Sequence, residues 1–383
     1  MTRPEIPMTP GPTAVPPEVY LAQGSPLVYH RGPGYGDLLR EVAAGLKALL
    51  KTEREVLVFT SSGTGGLESA VANLFSPGDR VVVPVTGYFG DRFARIAEAF
   101  HLDVRRIDYE WGRAVDPSDV EQAVGEAPTK GVLFQHSETS TGVINDVEPI
   151  ARAARAAGAL TALDVISSAG AVPLETDAWG IDVAIGGSQK ALSATPGIAF
   201  VSVSEEAWAA SRQATSPRFY FDWAAYRAAY ERENPESPWT PAISLMLGLR
   251  EALRLYLEEG SEAVLGRHEL LSTATKEGVR ALGLDLFGDH PERAWAVTAV
   301  KVPDGVDGKA IVSKMRADHG IIIAGGQGPL TGKVFRIGHL GYYDRFDIVR
   351  CLSALELTFM DLGYPAKPGA AVAAAEEVFA RTT

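Results

Sequence analysis

The chain contains a single cysteine, Cys351, in 383 residues. One thiol excludes an intramolecular disulfide framework and a thiolate metal cluster within one chain, so a reducing compartment, by default the cytoplasm, is expected. No apolar stretch approaches the roughly 18 residues of a membrane span. The opening MTRPEIPMTPGPTAVPPEVY lacks the apolar centre of a secretory signal, and the closing Ala-Arg-Thr-Thr is no retention or peroxisomal address. Basic residues are the minority charge: 36 Lys and Arg against 48 Asp and Glu leave a net −12. That balance disfavours nucleic acid or an anionic membrane as partner, because phosphate surfaces select clustered Lys and Arg. A local basic pocket remains compatible with it.

What is present is an ordinary globular composition, 46% hydrophobic, long enough for one large domain and a smaller one. The proline-rich residues 1–17 read as an extended arm of the kind that often lies across a partner. From about residue 38 helix-like and strand-like segments alternate. A helix over Leu38–Leu50 leads to an apolar run Val56–Phe59, a Ser/Gly turn, a helix to Phe75 and a strand Arg80–Val85. Helices near Asp91–Phe100, from Pro117 and over Pro149–Ala157 separate strands Asp103–Tyr109, Gly131–Gln135 and Leu160–Val165. Short β-rich runs follow at Asp182–Ile185 and Ile198–Val203. Repeated βα units with apolar strands predict an α/β fold with a mainly parallel sheet between helices, and ligands beyond the strands' carboxyl ends.

Residues 211–241 read as a polar, aromatic-rich connection. Helices Ile243–Glu259 and Ala263–Leu282, a strand Trp295–Val302, a helix Gly308–His319, a strand Val334–Gly338 and a last helix then give an α+β pattern. The predicted division is an arm 1–17, a large domain 18–255 and a small C-terminal domain 256–383. The Ala-rich tail 369–380 reads as a frayed helix.

Several segments carry possible chemistry. Gly186-Gly187-Ser188-Gln189-Lys190 ends a strand, and a lysine beside glycines that admit a bulky ligand suits an imine with an aldehyde cofactor; a surface-loop lysine is the plain alternative. Asp164 interrupts the apolar run Leu160–Ile166. A buried carboxylate there needs a cation or donors, such as a protonated pyridine nitrogen, a structural ion pair or a strand-end cap. The hydroxyl-rich loop Ser137–Gly142 suits a phenolic oxygen or a simple turn. Thr60–Gly66 lies between a strand and a helix, where backbone N–H groups and the helix dipole form an anion cup or merely a glycine-rich turn. It has neither dinucleotide nor Walker spacing. Phe89 is placed to stack on a planar ring or to fill core. Arg336, inside an apolar strand, suits a carboxylate or an ordinary Arg–Glu pair.

In this order the segments resemble the class V, fold type I aminotransferases, in particular the alanine–glyoxylate and serine–glyoxylate group. The resemblance runs from Thr9-Pro10-Gly11-Pro12-Thr13 to about Tyr364. It takes in Thr60–Gly66, His136–Gly142, Asp164, Gly187–Lys190, Thr240-Pro241, and Ala324–Gln327 leading to Arg336–His339. It implies pyridoxal 5'-phosphate as cofactor, Lys190 as the Schiff-base lysine and Asp164 as partner of the pyridine nitrogen. Phe89 takes the stacking position and Thr139 bonds the ring hydroxyl or imine. Ser62, Gly63, Thr64 and Gln189 hold the phosphate, with Thr240 contributed across a homodimer, and Arg336 and Gly11 face the substrate. No metal is implied. The expected activity is ping-pong transamination between alanine or serine and glyoxylate or a similar small 2-oxo acid. A ureidoglycine–glyoxylate or pyridoxamine–pyruvate transaminase is the nearer rival, and a non-catalytic α/β ligand-binding protein the more distant one. Cysteine desulfurase is disfavoured, since 324–333 has no cysteine and Cys351 sits in a helix-like pattern. Tyr35, His30 and Tyr88 are candidates to crowd a small-substrate pocket.

Overall fold

The computed structural model describes residues 5–381. Its main sheet has seven strands in the spatial order Glu55–Thr60, Ile198–Val203, Val183–Gly187, Leu160–Asp164, Gly131–Gln135, Arg80–Val85, Asp103–Asp108. Ile198–Val203 is antiparallel to both neighbours, and every other pairing is parallel. The two-residue period of a strand sends alternate side chains to opposite faces. Val56 and Val58 thus join a core with helices Pro33–Leu50, Val147–Ala156 and Ile243–Glu259, while Leu57 and Phe59 join a second core with Gly63–Leu74 and Tyr88–Ala99. Covering both faces is what requires nearly continuous apolar strands.

The C-terminal part builds its own core around a three-stranded antiparallel sheet, with Val334–Gly338 between Val297–Lys301 and Ala324–Gly325. Helices Ser261–Ala281, Gly308–His319, Arg345–Asp361 and Ala370–Ala380 complete it. Cys351 is buried in the third of these, where burial pushes its thiol up to about 12.

Two expectations are corrected, and the described part of the arm finds its place. The Ala-rich tail is a packed helix rather than a frayed one: Ala371 and Ala375 are fully buried, and the Glu356 carboxylate accepts the first-turn N–H groups of Ala371 and Val372. The connection 211–241 contains a helix, Trp223–Tyr230, capped by Asp222 and fixed by the fully buried Trp223. Its one apolar face was hidden by its brevity within a polar connection. The arm lies on the chain itself: Ile6–Pro7 pairs in parallel with Ile321–Ile322, Gly338 donates to the Met8 carbonyl at 2.8 Å, and a helix already starts at Pro17. Residues 1–4 of that expectation fall outside the described residues. Among the described residues no helix is long and apolar enough to cross a membrane.

Candidate active site

The carboxyl ends of the parallel strands gather the loops that carry chemistry, as the topology requires. Glu55–Thr60 leads into Ser61–Gly63, Arg80–Val85 into Thr86–Phe89, Gly131–Gln135 into His136–Thr141, Leu160–Asp164 into Val165–Ser167, and Val183–Gly187 into Ser188–Lys190.

Asp164, the last residue of a central strand, is 5% exposed and accepts one backbone donor, Ile166 N–H, at 2.8 Å. Among the described residues no cation pairs with it. Burial pushes its pKa to about 7; the Ile166 donor opposes this, and the carboxylate of Glu138 adds to it. The Ile166 bond is the strand-end cap, formed through Oδ1, while no ion pair is present among the described residues.

Lys190 is not a surface lysine. Burial brings its ammonium down to about 8, with Asp164 opposing and Arg336 and Arg92 reinforcing the shift. Its Nζ donates to the Pro10 carbonyl. Gly11 flanks the same amine at φ +109°, and a Cβ there would stand 2.7 Å from Nζ. Both the left-handed backbone and the approach of the lysine call for glycine.

Arg336 is 6% exposed and forms no ion pair among the described residues, so it is no ordinary Arg–Glu bridge. Nε and Nη2 donate to the Gly325 carbonyl at 3.1 and 2.7 Å, and Nη1 to the Thr139 carbonyl at 3.1 Å. Five N–H donors less these three leave two, on adjacent nitrogens, which matches a carboxylate. Burial lowers its pKa to about 10, against the attraction of Glu138.

The cup forms as a helix start. Gly65 and Gly66 donate to the Ser62 carbonyl, so the N–H groups of Gly63 and Thr64 precede the intrahelical ladder, and the Ser62 side chain makes no capping bond. Gln189 reaches the same place: its Oε1 is buried without a hydrogen-bond partner and lies 3.2 Å from where a Cβ of Gly187 would be. Thr139 Oγ1 shares a 2.6 Å hydrogen bond with Ser167. Phe89 is half-buried at the start of helix Tyr88–Ala99.

Thr240 is not brought into the cup of its own chain. It is exposed and stands beside Thr60, whose hydroxyl accepts from Ala242 N–H at 2.9 Å. Tyr35 does not crowd the pocket, because it is fully buried with its hydroxyl 2.6 Å from Ser237. His30 is half-buried against Tyr29.

Two further residues act here. Glu138 is fully buried, and its carboxylate accepts from Phe89 N–H (3.0 Å), Gly90 N–H (2.9 Å), Ser140 N–H (3.1 Å) and Ser140 Oγ. It therefore supplies the helix cap that Gly87, having no side chain, cannot. Burial raises its pKa while the four donors pull it down. Arg92, one turn after Phe89, donates to Thr64 Oγ1 at 3.1 Å. A carboxylate among hydroxyls at a strand end was a visible signal for Glu138, but its target lies 48 residues away.

The sequence profile of the family "Aminotransferase class-V" matches residues 18–340. The chain belongs to the class-V aminotransferase family. The family and its named aminotransferases make it a PLP-dependent transferase of fold type I. This class-V chain is 43% identical over 97% of both lengths to the "Soluble hydrogenase, small subunit" of Synechococcus sp. (strain PCC 6716). It is 37% identical to the L-aspartate–glyoxylate aminotransferase of Paracoccus denitrificans, over 98% of this chain and 96% of that one. The solved structure of ureidoglycine–glyoxylate aminotransferase from Bacillus subtilis superposes with a TM-score of 0.95 at 32% identity, covering 99% of each chain.

Proposed function

We propose that this chain transfers the amino group of a small amino acid, alanine or serine, to glyoxylate or a similar small 2-oxo acid, with pyridoxal 5'-phosphate held at Lys190. The observation that carries the reading is that three buried groups are left without the partners burial demands. Among the described residues Asp164 has no cation, Arg336 has no carboxylate, and Gln189 Oε1 has no donor. An unpaired buried charge costs several kcal/mol, so these groups suit a ligand with a basic ring nitrogen, carboxylate oxygens and a donor or hydrated anion.

Bound there, the cofactor supplies an electron sink for negative charge developing at the substrate α-carbon. The chain's residues supply the rest. Asp164 holds a proton at the pyridine nitrogen. Ser62, Gly63, Thr64 and Gln189 hold the phosphate, Phe89 backs the ring, and Thr139 orients the ring hydroxyl. Arg336 aligns the substrate carboxylate beside the Gly11 turn. Lys190 Nζ, with its pKa brought to about 8, takes the α-proton and returns one to the cofactor side, so that a neutral amine is accessible near physiological pH. Thr240 of a second copy closes the phosphate site in a homodimer, consistent with its exposure here and with the exposed stack of Phe219 on Trp239, centroids 4.7 Å apart. The cytoplasm is the compartment we assign.

Glyoxylate as acceptor is supported by the names of the Paracoccus and Bacillus relatives. The phosphate cup favours the phosphorylated cofactor over a pyridoxamine–pyruvate cycle, whose carrier lacks a phosphate. Family membership leaves the non-catalytic alternative without support. The test adds alanine, serine, aspartate, glutamate and ureidoglycine separately to cofactor-loaded protein and follows the visible absorbance. Fast bleaching by alanine or serine, reversed by glyoxylate, is expected. Bleaching by ureidoglycine or aspartate alone would transfer the assignment to that donor.

A further inference from the structure

The cup as described so far has no formal positive charge. Ser62, Gly63, Thr64, Gln189 and Thr240 are all neutral, whereas a phosphate monoester near pH 7 carries close to two negative charges. Inside a protein, neutral donors hold such a group less firmly than a guanidinium fork adds to them.

Arg92 supplies what is missing. It is half-buried on helix Tyr88–Ala99, one turn beyond Phe89, with Nη1 3.1 Å from Thr64 Oγ1. Its guanidinium carbon lies 4.9 Å from the Phe89 ring centroid and 5.3 Å from that of Tyr88. Among the described residues it forms no ion pair, although the chain has 48 acidic side chains. The adjacent Asp91 goes instead to Arg106, 2.7 Å away, which also meets Glu98 and Asp108. Arginine carries five donors, and the Thr64 bond accounts for one. A cation without an anion therefore stands beside a helix start whose first N–H groups are also free of intrahelical partners. Arg336, with three donors spent on the Gly325 and Thr139 carbonyls and two left, is separately placed for a carboxylate.

We propose that Arg92 anchors the cofactor, completing the Ser62–Thr64 cup as its cation for the phosphate while bracing the back of Phe89. This rests on the cofactor assignment made above. The anchor acts through Thr64 as well as directly, since the same guanidinium fixes the threonine hydroxyl at the cup's edge.

The experiment uses full-length protein stripped of cofactor, as wild type, Arg92→Met and Arg92→Lys. Dissociation constants are measured by absorbance for pyridoxal 5'-phosphate and for pyridoxal, which has the same ring without the phosphate. The melting temperature is followed with added inorganic phosphate. Arg92→Met should weaken pyridoxal phosphate by about tenfold or more, as expected for loss of charge-assisted hydrogen bonds. Pyridoxal should change less than about twofold, and Arg92→Lys should fall between. Inorganic phosphate should raise the melting temperature of wild type more than that of Arg92→Met. Equal affinity of wild type and Arg92→Met for pyridoxal phosphate would overturn the proposal. So would an equal loss for both ligands, which would leave only ring support. Should Arg92→Met not fold, unchanged affinity in Arg92→Lys together with an unchanged phosphate shift would overturn it. A wild type that binds neither ligand would defeat the cofactor assignment, and the phosphate-induced shift would then decide Arg92's anion role alone.

Discussion

Lys190 and Lys276 are two buried lysines whose ammonium groups are brought to the same value, about 8, with burial as the leading cause in both. Around Lys276 the hydrogen-bonding directions are closed. Ser272 Oγ accepts at 2.6 Å, the Ala294 carbonyl at 3.1 Å and the Glu292 carbonyl at 3.4 Å, three acceptors for three ammonium hydrogens. That lysine fastens helix Ser261–Ala281 to the turn at 291–294. Around Lys190, among the described residues, only the Pro10 carbonyl accepts, and Asp164, Arg336 and Arg92 act on it from a distance. A displaced pKa is therefore shared by a fastener and by the lysine to which the proposed function gives the chemistry. Unfilled neighbours separate them.

The largest contrast should come from removing each amine. Lys190→Ala should lower turnover by at least about 10³-fold while leaving the melting temperature nearly unchanged. Lys276→Met should keep turnover per folded molecule and lose about 2–4 kcal/mol of stability, because buried carbonyls lose their donor. Steady-state kinetics beside denaturant unfolding reads both, and a reversed pattern would sink the distinction. Next in size, Asp164→Asn keeps the shape and removes the charge meant for the ring nitrogen. Its kcat should fall about 10²-fold with the protein still folded. Arg336→Lys should act mainly on KM, raising it by about tenfold or more, since an ammonium cannot offer the two parallel donors of the fork. An unchanged KM would place the carboxylate elsewhere.

The smallest effect is a pH dependence. Lys276 has a folded pKa of about 8 against 10.5 for a free lysine. Between those values the unfolded chain binds the proton more than the folded one, so this group's contribution to stability rises with pH, having been at its least favourable below 8. Relative to Lys276→Met, wild type should gain up to about 1.4 kcal/mol per pH unit in that window. Unfolding curves at pH 7.5, 8.5 and 9.5 give the difference, with titrations elsewhere in the chain cancelling. A constant difference would mean that the three acceptors keep Lys276 charged throughout.

How far the sequence reveals such a site depends on the range of the interactions. Lys190 and Asp164 stand out as candidates because each breaks a local pattern, a lysine after glycines and an acid within an apolar strand. Strands Arg80–Val85, Gly131–Gln135, Ile198–Val203 and Val334–Gly338 occur with the expected bounds, since each is a short, mainly apolar run, broken only by Arg80, Gln135, Ser202 and Arg336. The cap that Glu138 places on Phe89 and Gly90 was not legible, because nothing near either segment marks the other. Arg92 looks like any polar position on an amphipathic helix, and only the path of Asp91 toward Arg106 exposes it. The helix Trp223–Tyr230 was missed because eight residues make barely two turns within a polar connection, although Trp223, Tyr226 and Tyr230 recur at i, i+3 and i+7.

The pairing of Ile6–Pro7 with Ile321–Ile322 joins residues more than three hundred positions apart, and the carbonyl that meets Lys190 belongs to Pro10, just beyond that pairing. During synthesis Ile6 and Pro7 must therefore wait until Ile321 and Ile322 have been made before they find their seat. Until then the Gly11 turn is tied to the large domain by Thr13, whose hydroxyl donates to the Lys190 carbonyl, without the support of that pairing. A nascent chain can therefore finish its large parallel layer before the pairing that seats its first strand has been made.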